Sequence, residues 1–205
     1  MKNTNQTCLA INREISQIII GGIEEIVGLD DLQKILENNQ IPFKINTKNN
    51  IVIEQSISLK QLNNIEKNLV EKYGETGCRG AAYHFGRSFF SGFYREYGDQ
   101  TGLNTLDYRM LPVKKRIYTG LEKISQWLST TTELEIKIND DDQRWYWVNL
   151  SEQNNCECRL TITDFSIGML QGFLSWASGG KSYPIKSNSQ DMTHQVIEIE
   201  KKAII

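Results

Sequence analysis

The sequence has little proline, little histidine and no surplus of charge of either sign, and each shortage removes a class of protein. Three prolines in 205 residues, with 39% hydrophobic and 23% charged residues, describe an ordinary folded chain and not a disordered or fibrous one. Lys+Arg at 23 against Asp+Glu at 25 leaves a net charge of −2. Phosphate neutralisation needs a clustered basic surplus, so nucleic acid is not an expected partner. No apolar run approaches the ~18 residues of a membrane span, because the richest, Ile18-Ile19-Ile20-Gly21-Gly22-Ile23, runs straight into Glu24 and Glu25. Residues Met1 to Cys8 lack the apolar stretch of a secretory leader, which makes the cytoplasm the expected location. Four cysteines, Cys8, Cys78, Cys156 and Cys158, are too few and too scattered for a disulfide framework.

Several chemistries lack their motifs. There is no G-x-S-x-G elbow, no Cys-His pair suggested by position, and no G-x-G-x-x-G following a strand. Gly179-Gly180-Lys181-Ser182 has the last residues of a phosphate-binding loop. Ser175 stands where that motif's first glycine belongs, and the stretch closes a helix ahead of Pro184, so it reads as a helix C-terminus. Cys156-x-Cys158 supplies two thiols, but no second pair and no histidine cluster completes four zinc ligands. The run Asp140-Asp141-Asp142 lacks the alternating oxygens and distal Glu of a calcium loop and reads as a solvated hairpin turn.

What is present falls into two halves. Ile11, Ile15, Ile18, Ile19, Ile26 and Val27 recur at helical spacing up to Gly28, and Asp30-Asp31 open a short second helix ending near Asn38-Asn39. After the β-like Ile51-Val52-Ile53, Ser58 caps a helix that ends at Gly74. Gly77 to Tyr97 reads as a long helix rich in small and aromatic residues, and Val113 to Leu128 as another. Beyond Thr130 the period changes to two. Leu134, Ile136 and Ile138 form one strand, Trp145 to Leu150 its hairpin partner, Asp164 to Trp176 a helix ended by Gly179-Gly180, then Tyr183-Pro184-Ile185 and Gln195 to Ile199 two more strands. Helices first, then hairpin, helix and two strands predict an α+β fold, a helical N-terminal half packed on a small antiparallel sheet, with no linker to divide it.

Two aromatic concentrations stand out. Tyr83, Phe85, Phe89, Phe90, Phe93 and Tyr94 crowd the long helix, where His84 and Arg87 are placed to hydrogen-bond a polar ligand. Plain core packing, with His84 satisfied by a neighbour, is the simpler alternative. Trp145 and Trp147 share one face of a strand, and Phe173 and Trp176 follow on the later helix. Such rings form either core or the walls of a cavity between sheet and helices. His194 follows a polar loop and reads as solvated.

The segment Gly74 to Gly98, with Gly86-Arg87 inside a small-and-aromatic helix, resembles the helical half of the 4-vinyl-reductase (hydrocarbon-binding) domain family. Leu160 through Gly168-x-Leu170-x-Gly172, then Tyr183 to Lys201, is similar to that family's C-terminal half. The likeness spans about Glu25 to Lys201 of a single domain covering residues 1–205. It implies a ligand-binding fold of the nitric-oxide-signalling and Golgi-transport type, shared with the sensing domains of phenol- and xylene-responsive regulators and more distantly with TRAPP tethering subunits and haem nitric-oxide sensors. Its common theme is a hydrophobic or aromatic small molecule held between helices and sheet.

The family's zinc positions fall near Thr161 to Thr163 and at about Pro184, Ser187 and Gln195, none of them a suitable ligand, so no zinc or other cofactor is expected. The Tyr-x-Ser-x-Arg signature of the haem sensors is missing. The expectation is therefore a cytoplasmic domain binding a hydrophobic or aromatic ligand as sensor or carrier, with a tetrapyrrole-related molecule among the candidates, and without catalysis of its own. Its contacts would be Tyr83, His84, Arg87, Phe90, Trp145, Trp147, Phe173 and Trp176. The alternatives are an accessory protein or reductase of (bacterio)chlorophyll biosynthesis and a protein-interaction scaffold like the tethering subunits. The resemblance also implies a homodimer, with the helix from Ile11 to Val27 as candidate interface.

Overall fold

The computed structural model describes residues 10–11, 13–132, 134–150, 159–188 and 195–204. Cys8, Cys156, Cys158 and His194 lie outside the described residues. The elements in chain order are β1 (Ala10–Ile11), α1 (Arg13–Val27), α2 (Leu29–Asn38), β2 (Phe43–Ile45), β3 (Ile51–Ile53), β4 (Ile57–Ser58), α3 (Leu59–Tyr97), α4 (Leu106–Arg109), α5 (Val113–Thr131), β5 (Ile136–Asp140), β6 (Arg144–Asn149), α6 (Arg159–Ser178), β7 (Ile185–Asn188) and β8 (Gln195–Glu200). No helix among the described residues is long and apolar enough to cross a membrane.

Helix boundaries follow local chemistry. Gly28 adopts φ 80° between α1 and α2, a conformation that a side chain would strain. At the start of α3 the Ser58 side chain accepts from the Gln61 amide, and the Gln61 side chain accepts from the Ser58 amide, a reciprocal cap that satisfies two otherwise orphaned donors. Gly74 (φ 72°, ψ 168°) leaves the helical conformation inside α3, so the two helices expected on either side of it meet there at a kink. Gly179 and Gly180 adopt φ 75° and 97°, and the Gly180 amide donates to the Ser175 carbonyl at 2.7 Å. The Gly-Gly-Lys-Ser stretch is thus a helix C-terminus.

The sheet runs β5-β6-β8-β7, antiparallel throughout. Its register places Trp147 opposite Ile197 and Trp145 opposite Ile199, and all four are buried, while Tyr146 and Glu198 alternate onto the other face. Helices α3, α5 and α6 cover the apolar face, and their side chains join the two tryptophans in one core. A second core lies among α1, α2, β3 and the first half of α3, holding Ile20, Ile23, Leu32, Leu36, Ile53 and Leu69. Of the apolar residues of α1, Ile15, Ile20 and Ile23 are buried inside the chain, while Ile26 is exposed.

Candidate functional site

The most extensive contact between any two elements is that of α3 with α6, and glycine makes it possible. A Cβ on Gly86 would collide with the Phe165 carbonyl oxygen, and one on Gly168 with the Tyr83 carbonyl oxygen, so the two backbones touch at the crossing. One turn on, a Cβ at Gly172 would lie 3.3 Å from Phe90 Cβ. This crossing fixes where the rings of both helices go. The ring of Phe90 lies 5.7 Å from Phe173 and 5.9 Å from Trp176, and Tyr94 lies 4.5 Å from Trp176. Further along α3, Phe93 and Tyr97 close on Trp127 of α5 at 4.8 and 4.6 Å. Such tilted and edge-on pairs contribute beyond area burial.

Of the residues the sequence nominates, Phe90, Trp145, Trp147 and Phe173 are buried together in one core, with the half-buried Trp176 packed against it. Tyr83 is half-buried, and its hydroxyl donates to Gln171 Oε1. His84 and Arg87 are exposed; the imidazole meets only the edge of the Tyr83 ring, at 5.8 Å. The structure therefore brings five of the eight together and leaves Tyr83, His84 and Arg87 outside that layer. The close helix crossing at Gly86 leaves no room for polar side chains there.

Sequence reasoning passed over Trp127. It is 7% exposed, and its Nε1 is buried with no hydrogen-bond partner among the described residues. An unpaired buried donor costs about 1–3 kcal/mol and calls for an acceptor. Its position three residues after Ile124 in a helix read from Ile117, Leu121, Ile124 and Leu128 was the available signal. Tyr97 stacks on Trp127 and also lines a groove of about 1020 Å3 between α1, α3 and β3, whose walls include Gln17, Ile18, Gly22 and Gly92. Burial, with Glu14 and Glu96 nearby, raises the Tyr97 hydroxyl above its ordinary value of 10.0 and keeps it neutral. The concave surface thus opens beside α1, not between α3, α6 and the tryptophan strand, where rings fill the space.

Two positions that the resemblance assigns to zinc do meet: Gln195 Nε2 donates to Thr163 Oγ1 at 2.9 Å, and Gln195 Oε1 is buried with no partner among the described residues. No group of three or more His, Cys, Asp or Glu side chains suited to a metal occurs among the described residues.

Helices packed over one face of an antiparallel sheet, with an aromatic layer at the junction, make an α+β fold. Solved structures of H-NOX domains share this fold. An oxygen-binding H-NOX domain related to soluble guanylate cyclases, in its oxygen complex, matches with TM-score 0.59 and 12% identity over 95% of this chain and 97% of that one. An H-NOX protein from S. oneidensis in the Fe(II) ligation state matches with TM-score 0.63 and 11% identity over 94% and 97%. A structure probing heme distortion in the H-NOX family matches with TM-score 0.63 and 13% identity over 95% and 97%. Likeness at this identity establishes the fold alone. No protein-family profile and no curated protein matches the sequence.

The described residues do not fit haem at the aromatic layer. His84 is exposed, and Cys78 is buried in the other core with its thiol directed to the Glu66 carbonyl at 4.0 Å. The space between helices and sheet is taken by Phe90, Phe93, Trp127 and Phe173.

Proposed function

We propose that the chain is a binding domain for a hydrophobic or aromatic small molecule, working as a sensor or carrier, in the 4-vinyl-reductase branch of this fold. The ligand lies at the edge of the aromatic layer, where Tyr97 separates the groove beside α1 from Trp127 and Phe93, and the packed rings of Phe90, Trp145, Trp147, Phe173 and Trp176 stand behind them. It carries an oxygen or nitrogen acceptor that takes the hydrogen bond from Trp127 Nε1. The single observation that carries the reading is that indole N–H, buried among rings with no partner among the described residues. Small-molecule sites are typically apolar with a few placed polar groups, and a donor left over in an aromatic core matches that description. Tyr97, which faces both the groove and Trp127, is the side chain that swings aside to admit the ligand. Tyr83, His84 and Arg87 contribute at most to the rim.

The test compares naphthol, which has an oxygen acceptor, with naphthalene, which has the same rings and none, using quenching of tryptophan emission. Naphthol is expected to bind about tenfold more tightly, and Trp127→Phe to abolish that difference. Absorbance and mass spectra of protein purified from its native host identify the natural ligand and reveal any tetrapyrrole. If neither probe binds at millimolar concentration and no apolar molecule is extracted, the reading fails and a protein-interaction role takes its place.

A further inference from the structure

A second concavity, of about 760 Å3, is bounded by the first residues of α5, the β5–β6 turn, the segment after α6 and the residues following β8. Main-chain hydrogen bonds fix its walls to one another: Lys201 N to Gln143 O at 2.7 Å, Glu200 N to Pro184 O at 3.0 Å and Ile204 N to Ser182 O at 2.9 Å. Five cations line it (Lys114, Arg144, Lys181, Lys201 and Lys202) against two carboxylates, Asp142 and Glu200. That concentration of positive charge stands out in a chain of net charge −2. Arg144 is paired with Glu198 at 2.9 Å, and Lys201 with Asp140 at 2.6 Å. Lys114, Lys181 and Lys202 are exposed and have no carboxylate partner among the described residues.

Two further features point the same way. The N-terminus of α5 opens onto this cavity through Val113 and Lys114, with Pro112 as its cap and no side-chain hydrogen bond. Its first turn contains no acidic residue, and Lys114, Lys115 and Arg116 stand where the helix dipole favours carboxylates. That arrangement costs helix stability unless an anion is supplied from outside the helix. Tyr183 lines the same cavity and is 7% exposed, with its ring edge on Trp145 at 6.1 Å. Its hydroxyl has no hydrogen-bond partner among the described residues, leaving a donor available to a ligand at the cavity wall.

We infer that this cavity is a second ligand site, for a phosphate-bearing molecule. A dianionic phosphomonoester matches three unpaired ammonium groups, a phenol donor and an open helix N-terminus better than a monocarboxylate does. The Gly179-Gly180-Lys181-Ser182 stretch contributes only its lysine, from a helix C-terminus, and the motif chemistry of a phosphate-binding loop plays no part.

Calorimetric titration of the full chain at low salt with inorganic phosphate, phenyl phosphate and adenosine triphosphate tests the site in solution. Sedimentation with phosphatidylcholine vesicles, with and without phosphatidic acid, tests the same chemistry on a lipid headgroup. Binding is expected to weaken as salt rises. Replacing Lys114, Lys181 and Lys202 together by Gln should weaken it roughly twentyfold without lowering Tm, since Lys114 opposes the dipole of α5. Tyr183→Phe keeps the ring and should weaken it about fivefold. Trp127→Phe should leave it unchanged, which separates this site from the aromatic one. A response in either arm that the triple variant abolishes supports the site, and the arm that responds identifies the source of the phosphate. Silence in both arms, or binding that survives the triple substitution, overturns it.

Discussion

Two residue types in the aromatic layer set substitutions of opposite sign. Trp127 leaves its Nε1 buried and unpaired among the described residues. Trp127→Phe removes that desolvated donor while keeping a ring against Phe93 and Tyr97, so the ligand-free protein should lose little stability, or gain up to about 1 kcal/mol, even as naphthol affinity falls. Urea denaturation checks it; a loss above about 3 kcal/mol would mean the indole acts through packing alone. Glycines give the second contrast. Gly168→Ala drives a Cβ into the Tyr83 carbonyl oxygen, a backbone atom that cannot step aside, and should cost about 3 kcal/mol or prevent folding. Gly80→Ala, whose added Cβ meets no atom within 4 Å, should stabilise α3 by up to about 1 kcal/mol. Equal effects at both positions would refute the backbone contact. The richness of α3 in glycine and aromatic residues was plain in the sequence, but which glycine touches which carbonyl depends on how two helices cross, and no periodicity encodes that.

Among the elements, the β5–β6 hairpin rests on one carboxylate. Asp141 accepts from the amides of Gln143 and Arg144, both at 2.7 Å, and from the Tyr146 hydroxyl at 2.6 Å. These bonds, led by the one from Tyr146, hold its carboxyl below the ordinary 3.8. A depressed folded-state value stabilises the turn above the unfolded value, and the stabilisation is lost as pH falls through the folded one. The Gln143 and Arg144 amide resonances should therefore titrate with a midpoint below 3.8. A midpoint at or above that value would show that the bonds do not persist in solution. The acidic run was legible as a turn, and the strands on either side by their alternation. The strand Phe43–Ile45 and the helix Leu106–Arg109 were not, because three residues of one and a single turn of the other are too short to display a period. Thr105 caps that helix through the Tyr108 amide at 3.4 Å, a local signal visible only once the helix is known.

At the scale of the whole molecule, two hydrophobic cores meet along the bent α3. The order of elements was enough to foresee an α+β fold, but with Trp145 and Trp147 on one face of their strand and Tyr146 on the other, the alternation left open which face the helices cover. It could not show that the nominated layer is filled and that the concave surfaces lie elsewhere, since cavity volume depends on how pairs of rings pack. Ile19 and Phe165 pack against both cores, and the ring of Phe165 meets Phe89 at 5.3 Å. Three of the four tryptophans are buried in the core over the sheet, the fourth packs against it, and none belongs to the other core. Tryptophan emission thus reports one core, whereas far-ultraviolet circular dichroism sums the helices of both. In the wild-type chain the two signals should follow one urea transition, as a cooperative domain requires. Phe165→Ala removes a half-buried ring from the junction. It should cost about 2 kcal/mol and separate the transitions, with the α1–α2 side melting first in circular dichroism while emission stays native. Coincident transitions in that variant, at the same cost, would mean that the backbone contact at Gly86 and Gly168 alone couples the two cores.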